Sequence, residues 1–266
     1  MKPINELLNL TGKIAIVTGG AKGIGKGIVA RLAEAGAQVL IADMDEAASQ
    51  ETAQELNTKG YKVAAIKTDV SNESEVQAML ESCKQQFGGL DILVNNAGIF
   101  PPKPLAQMDE ADFEKVMHVN LRSCFLTTKH APEIMKERGG GRIINITSID
   151  ALHPSMIGLA HYDASKHGMW GFTKNSALEL SQHKIWVNAI APGGIVTPGV
   201  QAMQGAGPQA DADTAKKQVE AFMAKIPMHR MGEPDEIGTV ALFLASDMSN
   251  YMTGSQIVVD GGALLS

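Results

Sequence analysis

Cysteine is almost missing from this chain, with only Cys83 and Cys124 among 266 residues. Two isolated thiols build no disulfide framework, so they read as inert core residues in a reducing setting. Long hydrophobic runs are missing too. No stretch reaches the roughly 20 apolar residues that span a bilayer. The opening segment M-K-P-I-N-E-L-L-N-L carries Glu6 and shows no cleavage pattern, so it does not read as a signal peptide. The expectation is a cytoplasmic protein with no membrane partner. Blocks of basic residues are also absent. The formal net charge of -6 and the pI of about 5.7 count against nucleic acid or an anionic membrane as partner. No H-x-x-x-H or C-x-x-C pattern offers ligands to a metal, and none is expected.

What the chain has is alternation. Of its residues 44% are apolar and 27 are glycine, enough for one large α/β domain with a sizeable core. Short apolar runs suited to buried strands lie at Lys13–Val17, Gln38–Ala42, Val63–Ile66, Ile92–Asn95, Ile143–Ile146, Trp186–Ala191 and Ile257–Val259. Helical patterns lie between them, including Ser74–Gln86, Phe113–Met135 and Pro234–Leu244. Such alternation predicts a doubly wound parallel sheet of Rossmann type, covered on both faces, in a single domain.

The first strand runs into Thr18-Gly19-Gly20-Ala21-Lys22-Gly23-Ile24-Gly25, and a helical pattern follows with Ile28, Val29, Leu32 and Ala33 on its apolar side. Strand, glycine-rich turn and helix make a nucleotide-phosphate site. Glycines admit the pyrophosphate close to the backbone, and the helix N-terminus favours its charge. The spacing is G-x-x-x-G-x-G rather than G-x-G-x-x-G. The second strand ends at Asp43, 18 residues beyond Gly25. A carboxylate about 20 residues on accepts hydrogen bonds from the ribose hydroxyls of NAD and repels the 2′-phosphate of NADP. The run D-M-D-E puts no arginine beside it. Lys22 is the contrary sign, a base within reach of a phosphate.

Tyr162 and Lys166 stand in the run H-Y-D-A-S-K-H-G, which opens a further helical pattern. Residues four apart share a helix face. An ammonium beside a phenol is expected to lower the phenol's pKa and fit Tyr162 for proton transfer near neutral pH.

These motifs, with N-N-A-G at Asn95 to Gly98, H-V-N at His118 to Asn120, I-T-S at Ile146 to Ser148 and A-P-G-G-I-V-T at Ala191 to Thr197, make the chain resemble the short-chain dehydrogenase/reductase family along nearly its full length. The resemblance implies a catalytic set. Tyr162 is its acid/base, and Lys166 holds the nicotinamide ribose and lowers the tyrosine pKa. Ser148 bonds the substrate oxygen, and Asn120 positions a water in the proton relay. It also implies adenine-side contacts from Asp69, Val70 and Asn95, and a carboxamide loop from Pro192, Gly193, Ile195 and Thr197. With Gly19, Lys22, Gly23, Ile24, Gly25, Asp43, Ala97, Gly98, Tyr162 and Lys166, these complete the expected cofactor site. The interval from Ser148 to Tyr162 carries one residue more than is common in that family, which bears on the choice of Ser148 over Thr147.

The reading is an NAD-dependent oxidoreductase that interconverts a secondary alcohol and a ketone, a homotetramer by resemblance. An NADPH-dependent 3-oxoacyl carrier-protein reductase is the alternative within the family. A non-catalytic nucleotide-sensing scaffold is the alternative outside it, and the intact Ser148, Tyr162 and Lys166 set argues against that. Pro198 to His229 is expected to cover the substrate, with Met203, Phe222, Met223, Met228 and His229 on offer for an apolar pocket. His153, His161 and His167 flank the catalytic run. Asp150 follows Ser148 by two residues, where a carboxylate facing the pocket could bind a polyol hydroxyl or an amine.

Overall fold

Runs rich in Ile, Val and Ala become a sheet in which nearly every side chain is buried, as β-branched residues covered on both faces require. The computed structural model describes residues 1–200 and 223–265. The strands are β1 (Ile14–Thr18), β2 (Gln38–Asp43), β3 (Lys62–Lys67), β4 (Ile92–Asn95), β5 (Gly141–Ile146), β6 (Ile185–Pro192) and β7 (Gln256–Val259). All neighbours pair in parallel, in the order β3-β2-β1-β4-β5-β6-β7. Val17 pairs with Ile41 on one side and Val94 on the other. The chain's direction of winding reverses between β1 and β4, and a cleft opens there beyond the strands' carboxyl ends. Each predicted strand is present, with ends shifted by a residue or two.

The helices α1 (Ile4–Leu7), α2 (Gly23–Glu34), α3 (Glu46–Thr58), α4 (Glu73–Phe87), α5 (Glu110–Met117), α6 (Ser123–Glu137), α7 (Ala160–Leu180) and α8 (Pro234–Ala245) cover the sheet. One face buries Ile28, Val29 and Leu32 of α2 against Ile237 and Leu244 of α8 and the strand residues Val17, Val39 and Ile41. The other buries Val76 and Met79 of α4, Leu126 and Met135 of α6 and Ala177 of α7 against Ile16, Leu40 and Leu93. Among the described residues no helix is long and apolar enough to cross a membrane.

One predicted element divides. The helical pattern read over Phe113–Met135 is two helices, α5 and α6, joined by a π-turn at His118–Arg122. The turn carries Asn120 into the interior, where it is fully buried. Of the expected covering segment, residues 201–222 lie outside the described residues, so Met203 and Phe222 do too. Pro198 to Val200 on one side, and Lys225 and Ile226 on the other, border the cleft.

Candidate active site

The glycine turn sets one wall of the cleft. Gly19 has φ +61° and a side chain there would meet the Ala97 backbone at 2.9 Å. A Cβ on Gly25 would lie 2.0 Å from the Gly19 carbonyl oxygen, so only hydrogen lets the turn close against the start of α2. That start differs from those of α3, α4 and α5. Helices α3, α4 and α5 begin on Asp45, Asn72 and Asp109, each accepting a hydrogen bond from its own first turn. Helix α2 begins on Lys22, with no side-chain cap and no acid in its first turn. Its leading N–H groups are left to an anionic ligand, to which the helix dipole adds attraction. The residues present therefore fit a dinucleotide pyrophosphate.

The strand ends supply the rest of a cavity of about 1530 Å³. Gly19, Lys22, Gly23, Ile24 and Gly25 line it after β1, and Asp43 lines it at the end of β2. Asp69 and Val70 follow β3, Ala97 and Gly98 follow β4, and Ser148 follows β5. Tyr162 and Lys166 come from α7, and Pro192, Gly193, Ile195 and Thr197 from the end of β6 and beyond. Residues spread over the chain thus meet in one space, larger than the roughly 300–1,000 Å³ of an ordinary small-ligand pocket. The Asp43 carboxylate accepts from the Ala21 N–H at 3.0 Å and the Asp45 N–H at 3.0 Å, which ties the strand end to the glycine turn. Lys22 ion-pairs with Asp45 at 2.7 Å. Across the cleft, Thr197 stands so close to Gly23 that a Cβ there would touch its methyl at 3.2 Å.

Two predicted residues do not line the cavity. Asn95, expected on the adenine side, is buried in a brace between β4, β5 and α6. Its amide donates to Asn145 Oδ1 at 2.9 Å, and its oxygen accepts from Thr127 Oγ1 at 2.7 Å. Its neighbour Asn96 lines the cavity instead and clamps the glycine turn by donating to the carbonyls of Thr18 and Gly19, both at 2.9 Å. Of the N-N-A-G motif, Asn96, Ala97 and Gly98 line the cavity and Asn95 does not. Side chains alternate between faces along a strand and its exit, and periodicity alone does not say which face holds the ligand. Asn120, expected to position a water, uses its side chain to brace the protein. Its oxygen accepts from the Ile99 N–H at 2.8 Å, and its amide donates to the Ile99 carbonyl at 2.9 Å and to Ser165 Oγ at 3.0 Å. It anchors the loop after β4 to α7.

The end of the cavity around Tyr162 is compact. Tyr162 is half-buried, packs edge-on against Phe100 with ring centroids 5.8 Å apart and has Lys166 Nζ 5.5 Å from its ring centre. Lys166 is 3% exposed and donates to the Ile146 carbonyl at 2.8 Å. Ser148 Oγ donates to Asp150 Oδ2 at 2.7 Å. Thr147 also lines the cavity, but its hydroxyl is engaged by the Ile190 carbonyl and Gln256, each at 2.8 Å, whereas the Ser148 hydroxyl bonds Asp150 within the cavity wall.

The expected depression of the Tyr162 pKa is not found. Burial pushes the phenol above its ordinary value of 10.0; the Ser148 hydrogen bond pulls it down, and the charges of Asp150 and Asp163 push it further up. Burial also pulls Lys166 down from 10.5 to about 8, against the opposing influence of Cys124 and Asp150. For both groups desolvation is the largest influence, and it favours the neutral form. Both cysteine thiols are pushed up to about 12 by burial, so they stay protonated and unreactive at neutral pH.

The histidines part company. His153 lines the cavity. His161 is fully buried, with Nδ1 accepting from the Tyr162 N–H at 2.9 Å. His167 is exposed on α7. Phe100, Met156 and Leu159 give the cavity apolar walls near Tyr162 that no sequence motif announced.

A family model described as enoyl-(acyl carrier protein) reductase matches residues 19–263. A 3beta-hydroxysteroid dehydrogenase from Eggerthella lenta is 41% identical, over 95% of this chain and 95% of its own. A 3-oxoacyl-[acyl-carrier-protein] reductase from Thermotoga maritima is 35% identical, over 97% of this chain and all of its own. Among solved structures, a short-chain type dehydrogenase/reductase from Mycobacterium marinum superposes with a TM-score of 0.91 at 36% identity, over 99% of this chain and all of the other.

Proposed function

The chain belongs to the short-chain dehydrogenase/reductase family of nicotinamide-dependent oxidoreductases, and from that premise we propose that it is an NAD-dependent enzyme interconverting a secondary alcohol and a ketone. One observation carries the reading: Tyr162, Ser148 and Lys166 converge on the same cavity as the uncapped start of α2 and the Asp43 carboxylate.

When bound, the oxidised cofactor would supply a hydride acceptor and a positive charge. The protein's own residues do the rest. Tyr162 takes the hydroxyl proton of the alcohol, or gives it back to a ketone. Lys166, fixed by the Ile146 carbonyl, holds its ammonium toward Tyr162 and the ribose side of the cavity. Ser148 hydrogen-bonds the reacting oxygen as its charge changes. Asn120 keeps the loop after β4 and helix α7 in register through Ile99 and Ser165. Phe100, Met156 and Leu159 give that part of the cavity apolar lining for the substrate's carbon frame.

Asp43 supports NAD over NADP, because its carboxylate stands where a 2′-phosphate would bring two more negative charges. Lys22, the base in the glycine turn, is engaged by Asp45. The carrier-protein reductase reading keeps support from the Thermotoga relative, and it requires NADPH and an acyl thioester. A homotetramer is the expected assembly, to be read by sedimentation equilibrium. The test of function is NAD reduction over polyols, sugars, hydroxy acids, steroids and aryl alcohols, with NADPH oxidation over 3-oxoacyl thioesters alongside. Turnover of an alcohol with NAD supports the proposal. Activity confined to NADPH and thioesters replaces it.

A further inference from the structure

Asp150 is a buried carboxylate that the chemistry above does not use. It is 6% exposed, lines the cavity and sits in the short turn Ile149–Ala151 just after Ser148. Two groups donate to it: Ser148 Oγ to Oδ2 at 2.7 Å, and the Ser155 N–H to Oδ1 at 2.9 Å. Among the described residues no lysine, arginine or histidine pairs with it within 4.0 Å. A carboxylate offers about four lone-pair positions, so two donors leave it half satisfied. A buried, unpaired charge is costly unless further donors arrive. Because the residue lines the cavity, a ligand there is a source of such donors.

Its distance from the chemistry is short. The reacting oxygen of a substrate must lie within hydrogen-bond reach of Ser148 Oγ. Asp150 Oδ2 lies one hydrogen bond beyond Ser148 Oγ. The reacting oxygen and the carboxylate are therefore at most two hydrogen-bond lengths apart, about 5.5 Å. The neighbouring oxygen of a gauche vicinal diol lies about one hydrogen-bond length from the first, so a diol oriented toward Asp150 brings it within reach. That reach favours a ligand that carries more than one hydroxyl.

We propose that Asp150 is the specificity-determining residue of this site. Its carboxylate accepts a hydrogen bond from a second hydroxyl on the carbon beside the reacting one, so the pocket selects vicinal diols and α-hydroxyketones over their monofunctional analogues. This deepens the alcohol/ketone reading and rests on it for the placement of the reacting oxygen.

The experiment compares matched ligands, cyclohexane-1,2-diol with cyclohexanol and butane-2,3-diol with butan-2-ol. Their affinities for the complex of the protein with reduced nicotinamide cofactor are read by cofactor fluorescence, which needs no turnover. The wild type is expected to favour each diol by about 10-fold or more, the strength of a hydrogen bond to a charged acceptor. Asp150→Ala should erase that ratio, and Asp150→Asn, which keeps the shape, should reduce it. Thermal melting identifies any variant that fails to fold, and the Asn variant then carries the test. A wild type indifferent to the second hydroxyl overturns the proposal. So does a variant in which diol and mono-alcohol weaken equally, since that is what a merely structural Asp150 would give. Hydride transfer is followed separately. A diol preference without turnover of any alcohol would reject the oxidoreductase reading and leave the role of Asp150 standing.

Discussion

Lys166 and Tyr162 are both driven by burial toward their neutral forms, and this has a measurable consequence for stability. The unfolded chain holds the Lys166 proton up to about 10.5, whereas the folded chain holds it only to about 8. Between those values unfolding takes up a proton, so raising the pH stabilises the fold. Below pH 8 both states are protonated, and the full cost of the buried ammonium is present. That cost is on the order of 3 kcal/mol for a shift of this size. The wild type should therefore gain about 2 kcal/mol, relative to Lys166→Met, between pH 7.5 and 9.5. Urea midpoints at the two pH values measure the difference, and parallel pH dependence in the two proteins would show that Lys166 titrates normally. The raised Tyr162 acts in the opposite sense, because its folded form keeps a proton that the unfolded form loses above 10. Stability drawn from Tyr162 thus falls only above that pH. Tyr162→Phe leaves the ring against Phe100 and removes the hydroxyl alone. It should retain cofactor affinity while turnover drops about 10²–10⁴-fold. A variant within a few-fold of wild type on a verified substrate would exclude Tyr162 as the proton-transfer group.

At the scale of elements, the glycine turn depends on how closely its helix is held. A Cβ on Gly238 of α8 would lie 2.6 Å from the Gly27 carbonyl oxygen of α2, and one on Gly27 would lie 2.5 Å from the Pro234 oxygen. The two helices meet backbone to backbone. Gly238→Ala gains helix propensity of up to about 1 kcal/mol, yet it must push α8 off α2 at an overpacking cost of about 1–3 kcal/mol. A lowered denaturant midpoint is the expected net result, together with weaker cofactor binding as the start of α2 shifts. An unchanged midpoint would mean that the contact yields without cost. The strands were legible in the sequence because apolar runs such as K-I-A-I-V and Q-V-L-I-A are bounded by glycine and charge. The glycine turn, Asp43 and the Tyr162–Lys166 spacing were legible because each is local. The π-turn was not. The apolar pattern runs unbroken through His118–Arg122, and the extra residue in the turn accompanies the bonds Asn120 makes to Ile99, which is 21 positions away. The exchange of Asn95 for Asn96 and the upward shift of Tyr162 share that cause. Each is set by what surrounds the residue in space, and periodicity carries no record of it.

At the scale of the molecule, the cavity gathers the carboxyl ends of six consecutive strands, β1 to β6, across the point where the winding reverses. A ligand bound there bridges both halves of the sheet, so its free energy of binding becomes free energy of folding. At 100 times its Kd a ligand adds about 2.7 kcal/mol, enough to raise Tm by several degrees in a chain of this length. The size of that rise also reads cofactor choice, independently of any substrate. Asp43 is held toward the cavity by the Ala21 and Asp45 N–H groups, so it cannot swing away from a 2′-phosphate without giving up two hydrogen bonds. Lys22 would have to leave Asp45 to offer compensation. That pair is exposed and weak, so the discrimination rests on the carboxylate. At equal concentration NAD should therefore raise Tm more than NADP in the wild type. Asp43→Ala should bring the two shifts together by lowering the response to NAD and raising the response to NADP, because one substitution removes both the ribose acceptor and the repulsion. Thermal scans of both proteins with each cofactor give four shifts to compare. A wild type stabilised more by NADP would reverse the assignment, and would mean that Lys22 serves the phosphate instead of Asp45.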